Sequence, residues 1–336
     1  MKKFTVLLLA VLVIAAILSG CRPRQQQQGG QQAPRVFQMA CNHSADYPTN
    51  VGNRAFIEYV ERETNGRIRI ELFHSEQLGS ESQTVELTQL GEVAFNRLGV
   101  AFLASVNPEI GAFSMPFLYR DRAHMFRVLD GPLGDEALRM LERQGLLGLC
   151  WYDSGSRNFY TTGRPIRTLE DMRGMRIRVM PTPVLRDMTS VLGASPVPMG
   201  MGEVYSGIQN GVVDGAENNW PSYYSWSHYE VAEFFTLSGH MAAPEMILVS
   251  TTVWNTFSAG DQAIIKRAAL HAAQVQRADW LRFEREAEQA ARAAGTTVFE
   301  LSPAEHQRFV DALAPMFQMA EWAAVAPLVN RIRAIQ

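Results

Sequence analysis

The chain has 336 residues, of which 47% are hydrophobic and 19% charged, with a net charge of −3. That length and composition allow about two domains with sizeable cores and exclude a wholly disordered protein. The slight acidity gives no footprint for broad nucleic-acid binding. Three cysteines with no CxxC pair exclude a disulfide scaffold and offer no zinc or dithiol motif.

Lys2 and Lys3 precede Phe4–Gly20, a run without a single charge, and Cys21 follows. A basic start, an apolar stretch and small residues before a break describe a secretory signal. Leu18-Ser19-Gly20-Cys21 resembles the bacterial lipobox. The resemblance implies removal of residues 1–20, lipidation of Cys21 and a periplasmic protein held to a membrane by its lipid. A plain N-terminal membrane anchor is the alternative. Residues 21–34 are rich in Gln and Gly, with no apolar residue able to join a core, and read as a flexible tether.

From Arg35 onward strands and helices alternate. Val36–Ala40 reads as a buried strand. A helix over Asn53–Thr64 stops at Asn65-Gly66. Arg67–Phe73 alternates Ile68, Ile70 and Leu72 with charged residues, the pattern of a half-buried strand. Ser80–Leu90 reads as a helix ended by Gly91, Val93–Leu98 as a strand, Asp121–Leu129 and Gly134–Arg143 as helices, and Leu146–Tyr152 as a buried strand. Further on, Met175–Val179 alternates as a strand. Thr182-Pro183 opens a helix as N-cap and N1 proline, which runs to Leu192 and stops at Gly193. Gly202–Asn210 reads as another helix and Met246–Ser250 as a strand. Asp261–Ala294 contains neither proline nor glycine, and predicts a helix about 50 Å long that could pass from one domain to another. The order implies an α/β fold with a largely parallel sheet.

No GxSxG, P-loop or HExxH motif occurs, and the seven histidines have no metal-ligand spacing. Neither a metal nor another cofactor is expected. A secreted enzyme using Glu81 and Glu217 as acid and base lacks any nucleophile, metal or cofactor motif to support it. Cys41 and Cys150 both end predicted strands and are candidates for a disulfide in an oxidising compartment. Two arginines stand out. Arg157 follows the turn Asp153–Ser156, and Arg178 sits inside a strand with apolar neighbours; a buried guanidinium would favour a carboxylate ligand. The competing reading for Arg178 is an exposed strand face shared with Arg176.

Asp171-Met172-Arg173-Gly174-Met175-Arg176-Ile177-Arg178-Val179 resembles the "DMKGLKIRV" signature of TRAP-transporter solute-binding proteins of the DctP-like family. Leu192–Met199, Glu203-Val204-Tyr205 and Gln209–Asn218 are similar to further family segments. So are Thr64–Arg67, Gln77-Leu78-Gly79, Met115–Leu118 and Val128–Pro132, so that the likeness covers about residues 36–330 in unbroken order.

The resemblance implies a two-domain α/β periplasmic solute-binding fold, with a cleft between the domains and a long helix spanning both. Domain I would comprise 35–155 plus about 244–283, and domain II 156–243 plus about 284–336. A small organic acid would bind in the cleft and be delivered to a small and a large membrane subunit, with no chemistry performed on it and no nucleic acid involved. Residue by residue, Arg178 matches the arginine that pairs with the ligand carboxylate, Arg157 the second cleft arginine, and Asn218 an asparagine that contacts the same group. Glu81, Asn42, His43, Met201 and Arg97 fall at weaker, ligand-facing positions. Asn218–Tyr223 and Asp153–Tyr160 resemble segments of hexuronate-binding members. There Asn219, Asn42, His43 and Glu81 would meet hydroxyls, and Trp220 would pack on the sugar ring or, alternatively, in the hinge. A C4-dicarboxylate, balanced by Arg97, Arg157 and Arg178, is the competing ligand. A sensor partner that presents its ligand to a receptor is the competing role.

Overall fold

A computed structural model of the chain describes residues 33–336; the expected leader, Cys21 and nearly all of the tether lie outside the described residues. The strands, in chain order, are β1 (Arg35–Ala40), β2 (Ile68–Phe73), β3 (Phe95–Gly99), β4 (Leu146–Tyr152), β5 (Ser156–Thr161), β6 (Arg176–Val179), β7 (Ser195–Pro198), β8 (Gly215–Asn218), β9 (Phe234–Ala242), β10 (Glu245–Ser250) and β11 (Thr297–Glu300). They form a five-stranded sheet, β2-β1-β3-β10-β4, and a six-stranded sheet, β11-β9-β5-β8-β6-β7. The architecture is a two-domain α/β fold with a cleft between its halves.

Local sequence explains most of the elements. In β2, Ile68 and Ile70 are buried while Arg69 and Glu71 are exposed, as alternation demands. β4 is buried throughout. The helix Glu81–Leu90 opens with a capping box between Ser80 and Gln83 and closes on Gly91 in the left-handed conformation. The first helix starts earlier than its apolar pattern suggests, at Pro48, because a proline at N1 is preset for a helix even in a polar first turn. The segment read as one helix from Gly202 is a 3₁₀ turn, Met201–Glu203, followed by the helix Val204–Gln209.

The sheets are mixed rather than largely parallel. β1 runs parallel to β2 and β3, but β10 is antiparallel to both β3 and β4. In the second sheet β8 and β7 flank β6 in parallel, whereas β5 is antiparallel to β8 and β9. The cause is the way the chain changes sheets. Only residues 153–155 join β4 to β5, and only 243–244 join β9 to β10. The chain leaves the first sheet through β4 and β5 and re-enters it through β9 and β10, so outgoing and returning strands run in opposite directions in both sheets. The two crossings run side by side as an antiparallel ribbon, Tyr152 opposite Glu245 and Ser156 opposite Ala242.

A third connection is the 35-residue helix Ala259–Ala293. It packs along Pro48–Glu63 in the first half and against Trp220–Ser225 in the second. Gly52 permits the first contact: a Cβ there would lie 2.7 Å from both Gln276 Cβ and Tyr152 Oη. Midway, Gln276 accepts from Asp153 N at 2.9 Å and donates to Asp153 O at 2.7 Å, which fastens the β4–β5 crossing to the helix.

The C-terminal residues belong to neither half alone. Arg308 pairs with Glu170, and Trp322 Nε1 donates to Asp187 at 2.9 Å, both in the second half. The helix Ala326–Ala334 instead turns its buried Leu328, Val329 and Ile332 toward the first half, where Arg331 meets Glu136 at 2.8 Å. This departs from an assignment of all of 284–336 to the second domain. One apolar core is confined to the first half and one to the second, and a third joins them through these last helices. Cys41 and Cys150 are free, buried thiols. β3 and β10 separate their strands, a gap of about 14 Å at roughly 4.8 Å per strand, beyond disulfide reach.

Candidate functional site

Arg176 and Arg178 lie on one face of β6, two residues apart, Arg176 at its start and Arg178 one residue from its end. Arg176 is half-exposed and paired with Asp214. Arg178 is only 1% exposed, which rules out the surface reading. Its Nε and Nη2 donate to Met199 O at 3.0 and 2.7 Å. Its Nη1 is buried without a partner, and no carboxylate among the described residues pairs with it. Burial pushes its pKa down, but a guanidinium stays charged at any ordinary pH.

Strand pairing brings two further donors beside it. β6 lies next to β8 with Arg178 opposite Ala216, and β8 lies next to β5 with Asn218 opposite Asn158. Asn218, two residues beyond Ala216, and Arg157, one before Asn158, therefore reach the same end of the sheet. Arg157 is held by Glu217: Nη2 donates to Oε1 at 2.8 Å and to the backbone oxygen at 2.9 Å, and Nε donates to Oε2. Its Nη1 makes no hydrogen bond among the described residues. His240, stacked on Phe159 at 4.3 Å, brings Nε2 to 3.4 Å from Glu217 Oε2. Burial opposes ionisation of Glu217, yet Arg157 and His240 together hold its carboxyl down at about 2. Asn218 Nδ2 has only a weak contact, 3.8 Å, to Met201 Sδ.

The facing wall comes from the first half. Arg97, on β3 and 1% exposed, places Nη1 3.1 Å from Glu81 Oε1 and 3.0 Å from Glu245 Oε1, while its Nη2 donates to Asn42 Oδ1. Thr49 Oγ1 donates to the other Glu245 oxygen at 3.1 Å. His43 stacks on Tyr47 with ring centroids 3.8 Å apart and lies 3.5 Å from Glu245. Burial, then the nearby Arg97, lowers His43 to about 4, so it is neutral at pH 7. Burial raises Glu81 against the pull of Arg97.

These two walls enclose a cavity of about 200 Å³. Arg178, Arg157, Asn218, Glu81, Asn42, His43, Arg97, Asn219 and Met201 all line it. Asn219 has a structural task as well. Its Oδ1 caps the helix Trp220–Ser225 by accepting from Ser222 N at 2.8 Å, and its Nδ2 donates to Ser154 O at 2.8 Å on the crossing.

For Trp220, read from sequence either as packing on the sugar ring or in the hinge, the structure does not bear out the sugar-ring contact. Trp220 is not part of the lining; its ring stacks on Phe235 at 3.6 Å inside the second core, because the first turn of its short helix points that position inward. The sequence reading passed over Glu245, Glu76, Phe102 and Met180, which do line the cavity. Only Glu245 left a signal, as an acid at the head of the otherwise apolar Met246–Val249.

The arrangement is a partly open cavity between two α/β lobes, lined by several charged and amide side chains, with one guanidinium left unneutralised at its wall. The chain matches the family model for bacterial extracellular solute-binding proteins, family 7 (DctP), over residues 39–322. It belongs to that family, as a solute-binding component of TRAP transport. A solute-binding protein of Chromohalobacter salexigens is 34% identical over 71% of this chain and 71% of its own length. Among solved structures, a TRAP periplasmic solute-binding protein from Roseobacter denitrificans with bound β-D-glucuronate superposes with a TM-score of 0.87 at 35% identity, covering 90% of this chain and 100% of that one. Another, from Bradyrhizobium in complex with α/β-D-galacturonate, gives 0.86 at 40% identity over 89% of this chain and 99% of that one. No helix among the described residues is long and apolar enough to cross a membrane.

Proposed function

We propose that this protein captures a hexuronate, of the glucuronate or galacturonate kind, in the periplasm and hands it unchanged to the small and large membrane subunits of its transporter. The observation that carries this is Arg178 Nη1, a buried donor without a partner at the cavity wall. The ligand carboxylate bridges Arg178 Nη1 and Arg157 Nη1, with Asn218 Nδ2 as third donor. Arg157 is neutralised by Glu217, and Arg97 by Glu81 and Glu245. A single guanidinium is therefore left to balance a single ligand carboxylate, which favours a monocarboxylate over a C4-dicarboxylate. Asn42, His43, Glu81 and Asn219 supply donors and acceptors for ring hydroxyls. Both solved relatives above hold uronates of this class.

Calorimetric titration checks the reading. Glucuronate or galacturonate should bind at least tenfold more tightly than succinate or malate and be recovered chemically intact; binding of succinate with no response to either uronate overturns it. We propose also that Cys21 carries a lipid that tethers the protein to the membrane, on the strength of Leu18–Cys21 after an apolar run. Fatty-acid labelling should then disappear in Cys21→Ala.

A further inference from the structure

Two carboxylates of the cavity are left over once its ion pairs are assigned. Glu76, half-buried, lines it from the first half, in the turn between β2 and the helix Glu81–Leu90. Glu203, exposed, lines it from the second half, at the end of the turn Met201–Glu203. Glu81, Glu245 and Glu217 each face an arginine. Neither Glu76 nor Glu203 has an ion-pair partner among the described residues. Glu203 Oε2 accepts from Gly200 N at 2.9 Å, which fixes its carboxylate beside the cavity.

Glu76 is positioned at a cost. Ser75 and Glu76 have φ of 53° and 59°, two successive left-handed residues with side chains. Such strain persists where the surroundings enforce it, and it gathers at functional sites. Ser75 N donates to His43 O at 2.8 Å and Gly79 N to Glu76 O at 2.9 Å, so the turn is tied to the loop that carries Asn42 and His43. Glu76 Oε2 reaches the opposite half: a Cβ added to Gly202 would lie 3.2 Å from it. Burial raises the Glu76 carboxyl, Arg178 lowers it and Glu203 raises it, which puts it within the field of the ligand anchor.

We infer that Glu76, backed by Glu203, is a specificity-determining residue that excludes ligands carrying a second carboxylate. This rests on the uronate reading above and adds to it the group that enforces it. A monoanion brings its one charge to Arg178 and presents hydroxyls elsewhere. A dianion brings a second charge into a small enclosure whose remaining cations are already paired, where it meets Glu76. Like charges a few ångströms apart in such a place cost about tenfold or more in affinity. The filter therefore separates uronates and aldonates from the corresponding aldarates, which differ from aldonates by one terminal carboxylate.

Glu76→Gln keeps size and hydrogen bonding and removes the charge. Affinities for glucuronate, gluconate and glucarate are measured by calorimetry, or by displacement of glucuronate, in the unaltered protein and the variant. Glucarate should gain about tenfold in Glu76→Gln, while glucuronate and gluconate change less than about threefold. Their near-constancy also reports a correctly folded variant. Glu203→Gln should move glucarate in the same direction by less. No gain for glucarate, an equal shift for all three acids, or a loss of glucuronate affinity alone overturns the filter, the last making Glu76 a simple hydroxyl contact. If the unaltered protein fails to bind glucuronate, the underlying uronate reading falls and takes this inference with it; glucuronate binding with an unchanged glucarate ratio removes the inference and leaves the reading standing.

Discussion

Arg178 and Arg176 share a strand face, and depth alone separates their chemistry: one is paired and half-exposed, the other buried with a free Nη1. Removing one partner of a buried, hydrogen-bonded charge pair costs about 2–5 kcal/mol of binding, roughly 30-fold to several-thousand-fold. Arg178→Ala should lose hexuronate affinity on that scale, and Arg178→Lys should recover only part of it, since an ammonium lacks the planar fork. Arg176→Ala should stay within about twofold, as an ordinary surface change. Dissociation constants and melting temperatures of the three variants check this; equal small effects at both positions would remove the anchor role. The same pair shows what sequence could convey. Alternation put both arginines on one face; the apolar neighbours of Arg178 drew notice but left the surface reading open, and only resemblance to a family favoured the anchor, because burial there depends on the opposite domain. Trp220 is the reverse case: neighbours in sequence left it between the ligand and a structural packing role, and the packing of Phe235 decides where its ring goes.

Among the elements, Glu217 has the widest reach. It sits on β8, grips Arg157 on β5 and faces His240 on β9, so one carboxylate ties three neighbouring strands. Its folded-state pKa of about 2 lies below the ordinary value of 4.5. A depressed carboxyl stabilises the fold fully above the unfolded value, and this is lost as pH falls through the folded one. Stability should therefore decline between about pH 4.5 and 2, by an amount of order 3 kcal/mol from this group. Urea melts across that window should show the decline, and Glu217→Gln, already weakened at neutral pH, should show less of it. Elements with strong periodicity or punctuation, such as β2, β4 and the helix from Ser80 to Gly91, were legible in the sequence. β5 and β9 were not: their mixed polar and apolar residues make sense only beside each other, and β7 carries two prolines that an edge strand tolerates. The direction of β10 could not be read either, because strand sense is set by the sheet it enters.

At the scale of the whole molecule, the cavity takes residues from both halves, and the crossings at 153–155 and 243–244 lie beside it. Ligand that touches both walls should draw them together. Small-angle scattering should give a smaller radius of gyration with saturating hexuronate than without; an unchanged radius would count against a closing cleft. Rotation has little room on the first-half side of the ribbon. Both backbone groups of Asp153 are held by Gln276, and Gly155, at φ 62°, has Glu284 Oε1 and Trp280 Nε1 where a Cβ would stand.

The chain passes between the lobes four times, counting the return of Ala326–Ala334, and neither lobe is one continuous stretch of sequence. No cut would release a lobe with its core whole, since the third core is shared. Heat or denaturant should then melt the two lobes together, because the shared core couples them. A sugar acid gripped on one wall would slow amide exchange in the sheet behind the other wall, because the openings that expose either sheet to water are the same global event.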